Sequence, residues 1–284
     1  MTIRIFGSVI LEYLNQFDTN TDIDFYIDTL EYYPGPNKKI YIQSEPGNIW
    51  NCYYHLRDHS HLYDLIFCYD PSRLYKPNIL GLQKPNVYKR TAGHTWLAPE
   101  FYKSINITKK KFAISNLTGH KSGQIGYYFR NHLYQNQKAF EKFPITFYRS
   151  SAHIIIPEIG NNPCIPDKPS SSKYILFENY QYHIVIENTR ELNCFSEKLI
   201  DCLITKTIPI YYGCENVGEY FDVSGWIILT DEQNFLQDLY NQLHKLNESY
   251  YMNHLEIIEK NYEIALKYSN AETNMLTLLK SHLS

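Results

Sequence analysis

The six cysteines, Cys52, Cys68, Cys164, Cys194, Cys202 and Cys214, form no Cys-x-x-Cys pair and no finger spacing. That pattern excludes a finger-type zinc site and points away from a disulfide framework, leaving reduced and mostly buried thiols as the expectation. No uninterrupted apolar run approaches the roughly 18 residues that a membrane helix needs. The opening residues, MTIRIFGSVI, lack the long apolar core and small-residue cleavage site of a secretory leader. The expectation is therefore a soluble, cytoplasmic protein. The N-x-[ST] matches at Asn106, Asn116 and Asn247 then carry no glycosylation expectation. There is no long basic block, and the net charge of −3 argues against a broad cationic face for nucleic acid. The triplet Lys109-Lys110-Lys111 is expected to be a solvated turn. No internal repeat or low-complexity segment stands out.

What the chain does contain is enough apolar residue, 44% of 284, for a real core. Short β-rich runs alternate with helical patterns. IRIFG, KKIYIQS and LYDLIFCYD read as strands ending in turn-capable residues, the pattern of an α/β protein with parallel strands. Residues 86–111 are irregular, and a domain junction is expected near residue 108, giving an N-terminal domain of 1–108 and a C-terminal domain of 109–284. In the second, KFAISN, YHIVIEN, IPIYYG and GWIIL read as strands. GYYFRNHLYQNQKAF and SEKLIDCLITK read as helices, and the tail after Asp231 is helical, with Phe235, Leu239 and Leu243 four apart. Thr230 or Asp231 suits the cap of that helix, and Thr230 with Gln233 fits a capping box.

One stretch, CFSEKLIDCLITKTIPIYYGC, carries a local conflict. Ser196 suits an N-cap, and Glu197 suits the first turn. Lys198 does not, because a cation beside the positive end of the helix dipole is unfavourable. An anion docked on the helix start would resolve this, with free N–H groups and one ammonium forming a phosphate site. An exposed first turn with a solvated lysine is the plainer alternative. Just upstream, Glu187 and Asn188 end an apolar strand at the carboxyl edge where α/β sheets take ligands; a capped turn is the alternative there.

Across about forty residues, YHIVIENTRELNCFSEKLIDCLITKTIPIYYGCENVGEYFD resembles the donor-binding core of the α1,3/α1,4-fucosyltransferases, of short bacterial or viral type. The matching positions are Glu187, Asn188 and Thr189, then Phe195, Ser196, Glu197 and Lys198, then Pro209, Tyr212 and Gly213. The resemblance implies a GT-B architecture, two facing Rossmann-like α/β domains with a donor cleft between them and a helical tail. It implies an inverting glycosyltransferase that moves a sugar, fucose by resemblance, from a nucleotide-diphosphate donor to a glycan hydroxyl. A UDP-sugar such as UDP-xylose or UDP-galactose is the alternative donor. By the same resemblance Lys198 binds the diphosphate, Glu197 the ribose, and Glu187 and Asn188 lie near the sugar. A further basic residue is expected after the KFAISN strand: Lys121 first, Arg130 second. The catalytic base is expected to be a carboxylate after an early strand, Glu45, with His94 as a second candidate.

Two other readings compete. Asp22 and Asp24 in TDIDFYID mimic the D-x-D pair that chelates a divalent cation in another transferase class. Because a lysine and a helix start already supply positive charge, no essential metal is expected. The 27 tyrosines and three tryptophans also suit a non-catalytic carbohydrate- or nucleotide-binding protein, although aromatics mostly serve cores.

Overall fold

The first 92 residues build one parallel sheet from β1 (Ile3–Gly7), β2 (Ile23–Ile27), β3 (Lys38–Ile42), β4 (Leu65–Cys68) and β5 (Val87–Lys89), in that spatial order. The computed structural model describes residues 2–7, 14, 17, 20–47, 49, 51–74, 86–91, 93–119, 121–151, 162–166 and 170–283. Alternation sorts the strand residues between two faces. Ile23, Phe25, Ile27, Ile40, Ile42, Leu65 and Phe67 make one buried cluster. Tyr26, Tyr41, Ile66 and Cys68 make another, against Cys52, Tyr53 and Leu56 of α1 (Cys52–His59). Burial on both faces is what lets every strand be parallel.

The second unit runs through α2 (Pro99–Lys103), β6 (Lys111–Thr118), α3 (Ile125–Gln135), β7 (Ile145–Ser150), β8 (Cys164–Ile165), β9 (Tyr180–Ile186), α4 (Glu197–Ile204), β10 (Ile208–Tyr212) and β11 (Ile227–Ile228). The helices α5 (Phe235–Leu243), α6 (Glu248–Asn253) and α7 (Leu255–Tyr268) follow, then α8 (Ala271–Leu283). Its six strands pair in the order β11-β10-β9-β6-β7-β8, all parallel. Tyr182, Ile184 and Ile186 of β9 pack on Phe129 and Leu133 of α3 and on Phe235 and Leu239 of α5. On the other face, Val185 packs with Leu199, Cys202 and Leu203 of α4 and with Ala265 of α7.

Contacts divide the chain elsewhere than at the expected break near residue 108. One unit is Met1–Ala92, Glu191–Cys194 and Ala271–Ser284; the other is Gly93–Arg190 and Phe195–Asn270. Residues 93–108 belong to the second because Leu97 and Tyr102 are buried in its core and because Asp201 of α4 accepts from Thr95 Oγ1 (2.5 Å) and Trp96 N (3.1 Å). Helix α8 belongs to the first because Met275 and Leu279 join its sheet cluster.

Two local expectations change. Lys110 is buried, not solvated: its ammonium donates to Phe177 O, Tyr180 O and Thr207 Oγ1 at 2.6–2.9 Å, a full set of acceptors for three donors, although burial pulls its pKa down to about 7. Helix α5 starts later than the Thr230–Gln233 box implies, because Asp231 spends its carboxylate on Gln233 N and Asn234 N in a preceding turn. Asn116, one of the N-x-[ST] matches, is fully buried in β6. The six cysteines form no disulfide among the described residues, and Cys164 is exposed. No helix of the described residues is long and apolar enough to cross a membrane.

Candidate active site

The second sheet places its functional edge by topology. From β6 the chain moves outward through β7 and β8, then returns to the other side of β6 as β9 and proceeds to β10 and β11. The strand order therefore reverses between β6 and β9, and the crevice beyond their carboxyl ends is where open α/β sheets hold ligands. Glu187 and Asn188 emerge from β9 at that point, and the N-termini of α3 and α4 meet them there. Gly126, in the first turn of α3, donates its N–H to Asn188 O at 3.0 Å. A Cβ on Gly126 would lie 1.7 Å from Glu187 O, so only glycine permits this approach.

Ser196 caps α4 as expected, but through an unexpected partner. Glu187 Oε1 accepts Ser196 N at 2.8 Å and Oε2 accepts Ser196 Oγ at 2.6 Å. Ser196 Oγ in turn accepts Lys198 N at 3.3 Å. The strand-end carboxylate thus fixes the helix start, and Gly213 leaves it room, since a Cβ there would come within 2.5 Å of Glu187 Cγ. Lys198 Nζ donates to Glu197 Oε1 (2.9 Å) and Ser196 Oγ (3.1 Å) and lies 3.8 Å from Glu187 Oε2. Two of its three donors are used inside the cluster, and the side chain keeps 29% exposure.

Electrostatics follow from this geometry. Burial pushes the Glu197 carboxyl up, but Lys198, His94 and Lys173 together hold it well below the usual carboxylate range. Burial pulls Lys198 down, and Glu197 with Glu187 outweighs it, so its pKa is raised. Lys198 therefore stays charged, and the lysine that conflicted with the helix dipole is balanced by two carboxylates. His94 Nε2 stands 3.9 Å from Glu197 Oε2, which places His94 beside the proposed ribose ligand.

Of the two basic candidates after β6, the structure brings Arg130 to the cluster. Its guanidinium donates to Ile186 O and, at 2.9 Å, to Asn188 Oδ1. It is buried, which lowers its pKa, while the charges of Glu187 and Glu197 act in the opposite sense. Lys121 lies in the exposed turn between β6 and α3. Helical phase explains the difference: Phe129 and Leu133 face the core, and Arg130, next in the helix, is carried under the end of β9. Two buried polar atoms near these strand ends, Thr189 Oγ1 and Asn116 Nδ2, have no hydrogen-bond partner among the described residues. Orphaned buried groups of this kind are uncommon and call for a partner such as a ligand or water.

Glu45 lies in the first unit, exposed, in the loop after β3. Its N–H donates to Asp28 Oδ2 at 2.8 Å, and its carbonyl accepts from Gln43 Nε2 at 3.0 Å. Asp28, just past β2 in the left-handed region (φ 45°), also accepts Ser44 N. Burial pushes Asp28 up to about 6, opposed by the N–H groups of Ser44 and Glu45. Sequence reasoning missed Asp28, although it too follows a strand, one residue past β2. It also missed Glu191, whose buried carboxylate accepts Gly47 N (2.7 Å) and Tyr53 OH (2.8 Å) and pins the far side of the same loop.

The D-x-D candidate is spent on structure. Asp24 is fully buried in β2 and takes Arg4 bidentately at 2.7 and 2.6 Å, plus Asn37 Nδ2 at 2.9 Å. Asp22 accepts Thr2 N at 2.6 Å. Alternation along β2 sends Asp24 to the sheet face opposite Phe25, where its pairing partner β1 supplies Arg4 in register. Among the described residues no group of three or more His, Cys, Asp or Glu side chains is arranged to hold a metal ion.

No family model matches the chain. The α-(1,3)-fucosyltransferase FucT of Helicobacter pylori is 30% identical to it over 81 residues, which span 28% of this chain and 17% of that protein. Among solved structures, an α1,3-fucosyltransferase aligns over 100% of this chain and 89% of its own, with a TM-score of 0.51 and 15% identity. An α-glucosyltransferase in complex with UDP-glucose and DNA containing an abasic site aligns over 96% and 84%, with a TM-score of 0.54 and 12% identity. The chain accordingly has the GT-B type of fold seen in these glycosyltransferases, with a local sequence likeness to a fucosyltransferase.

Proposed function

We propose that this protein is a glycosyltransferase that takes a sugar from a nucleoside-diphosphate donor, GDP-fucose by resemblance, and transfers it with inversion to a glycan hydroxyl. The observation that carries this reading is the cluster at the β6/β9 switch point: Lys198 and Arg130 supply two cations, Ser196 and Glu187 fix the start of α4 that presents Lys198, and α3 carries Arg130 to Asn188. Lys198, with one ammonium donor not used inside the cluster, binds the diphosphate; Arg130 adds positive charge from beneath Asn188. Glu197, held ionised, accepts from the ribose hydroxyls. Glu187 is the positioning carboxylate that locks the cap, rather than a direct sugar ligand.

In the transfer, Glu45 takes the proton of the acceptor hydroxyl. The acceptor oxygen forms its bond to the anomeric carbon as the bond to the diphosphate breaks. The charge that develops on the leaving diphosphate is met by Lys198, Arg130 and the α4 dipole. Asp28 is a positioning residue, holding the Glu45 loop through the N–H groups of Ser44 and Glu45. With protein cations in place, turnover is expected to survive EDTA; complete loss reversed by manganese would count against this arrangement.

The test is release of nucleoside diphosphate from a panel of GDP- and UDP-sugars, with oligosaccharides and, because one structural neighbour is complexed with DNA, duplex DNA as acceptors. The reading predicts turnover of one donor, lost in Glu45→Gln while nucleotide binding persists. Binding without any turnover would indicate a non-catalytic nucleotide-binding protein, and full turnover in Glu45→Gln would remove the base assignment.

A further inference from the structure

Beside Glu197 the chain holds an exposed aromatic on an unusually well-anchored segment. Trp96 is 47% exposed, yet its N–H is fixed by Asp201, a buried carboxylate on α4 that also takes Thr95 Oγ1. Thr95 Oγ1 then accepts Leu97 N at 3.0 Å. At the start of the segment Gly93 sits so close to Tyr268 and Phe195 that a Cβ would lie 2.8 and 2.9 Å from them. A large apolar ring held half in water by buried hydrogen bonds serves no core, and rigid backbone lowers the ordering cost of binding to it. Its surroundings are polar and specific. The His94 ring meets Trp96 edge-on at 5.0 Å and reaches toward Glu197, and Lys173 Nζ stands 5.9 Å from the centre of the Trp96 ring.

We propose that His94, Trp96 and Lys173 form a nucleobase subsite that stacks an oxo base, guanine or uracil, on Trp96 and presents the Lys173 ammonium to the ring carbonyl. This rests on the reading of Glu197 as the ribose ligand: the base is joined directly to that ribose, and the His94 ring, 3.9 Å from Glu197 Oε2, meets Trp96 at 5.0 Å. The ammonium sets the base class. Guanine offers a carbonyl acceptor where adenine offers an amino donor, and an –NH₃⁺ group can only donate. His94 thereby has a place at the base end of the donor, not at the acceptor.

The experiment is calorimetric titration of GDP, UDP, ADP and inorganic pyrophosphate into wild type, Trp96→Ala, Trp96→Phe and Lys173→Met. Trp96→Ala is expected to weaken GDP or UDP by about 5- to 150-fold, the range of base–aromatic stacking, while leaving pyrophosphate unchanged. Trp96→Phe restores most of the loss, and Lys173→Met narrows the preference for GDP or UDP over ADP. If wild type binds GDP or UDP and Trp96→Ala binds it equally well, the subsite is wrong and the nucleotide reading stands. If Trp96→Ala weakens pyrophosphate as much as GDP, the effect is structural and the subsite is wrong. If wild type binds no nucleotide, both fall.

Discussion

Replacing Lys198 by alanine separates two roles that this side chain holds together. In the protein as it stands, Lys198 serves two carboxylates, Glu197 at 2.9 Å and Glu187 at 3.8 Å, which are only 15% and 6% exposed. Exposed ion pairs are worth about 0–1 kcal/mol, and breaking a fully buried one costs about 3–5 kcal/mol. With the lysine 29% exposed, a value between these, about 2 kcal/mol, is expected, or roughly 4–8 °C in melting temperature. Nucleotide binding loses one charge-assisted contact, about 1.5–3 kcal/mol, which is 10- to 150-fold in affinity. The pH dependence tells the stability effect from a packing loss. Lys198 is one of the groups holding the folded Glu197 carboxyl below its ordinary value of 4.5. The stability this gives is present above pH 4.5 and is lost as pH falls toward the folded value. The gap between wild type and Lys198→Ala is therefore widest near neutrality and closes as the pH drops below 4.5. Thermal melts from pH 7.5 to 2.5, with GDP and UDP calorimetry at pH 7.5, check both parts. A gap that ignores pH would refute the electrostatic account, and unchanged nucleotide affinity would refute the phosphate role.

Arg130→Ala is expected to weaken nucleotide binding and destabilise the fold, because it leaves Ile186 O and Asn188 Oδ1 unpaired, whereas Lys121→Ala changes neither; the same titrations and melts decide. Asp28→Asn, which removes charge and part of the acceptor set for the Ser44 and Glu45 N–H groups, lowers turnover at unchanged donor affinity; a raised donor KM with normal kcat would contradict a role confined to positioning Glu45. Asp201 is pushed up to about 7 by burial, against the hydrogen bonds from Thr95 and Trp96. Its favourable contribution is complete below its ordinary value of 3.8 and is lost as pH rises through about 7. Asp201→Asn should therefore gain on wild type between pH 4 and pH 8 in chemical denaturation, and a pH-independent difference would remove this explanation.

Residues 180–213 were the readable part of the chain because their signals are local. A β-branched run, a capping serine, an i, i+3, i+4 apolar stripe through Leu199, Cys202 and Leu203, and a terminating glycine lie close together. The alternation that implied parallel strands is likewise local, and both sheets follow it. What sequence alone left hidden depends on partners far along the chain. Asp24 resembles a metal ligand until Arg4, twenty residues earlier, is paired with it. Lys110 resembles a surface lysine until Phe177, Tyr180 and Thr207 close around it. The assignment of α8 and of residues 191–194 to the first unit is beyond any criterion of composition or linker. Lys198 clashes with the helix dipole on sequence alone, and part of the resolution lies in the protein: Glu187 and Glu197 already balance it.

The most direct measurement is a crystal structure of the chain with a nucleoside diphosphate, GDP or UDP. The account predicts phosphate oxygens within hydrogen-bond distance of Lys198 Nζ and ribose hydroxyls on Glu197, at the carboxyl ends of β6 and β9. A nucleotide bound elsewhere, with Ser196, Glu197 and Lys198 untouched, would contradict it.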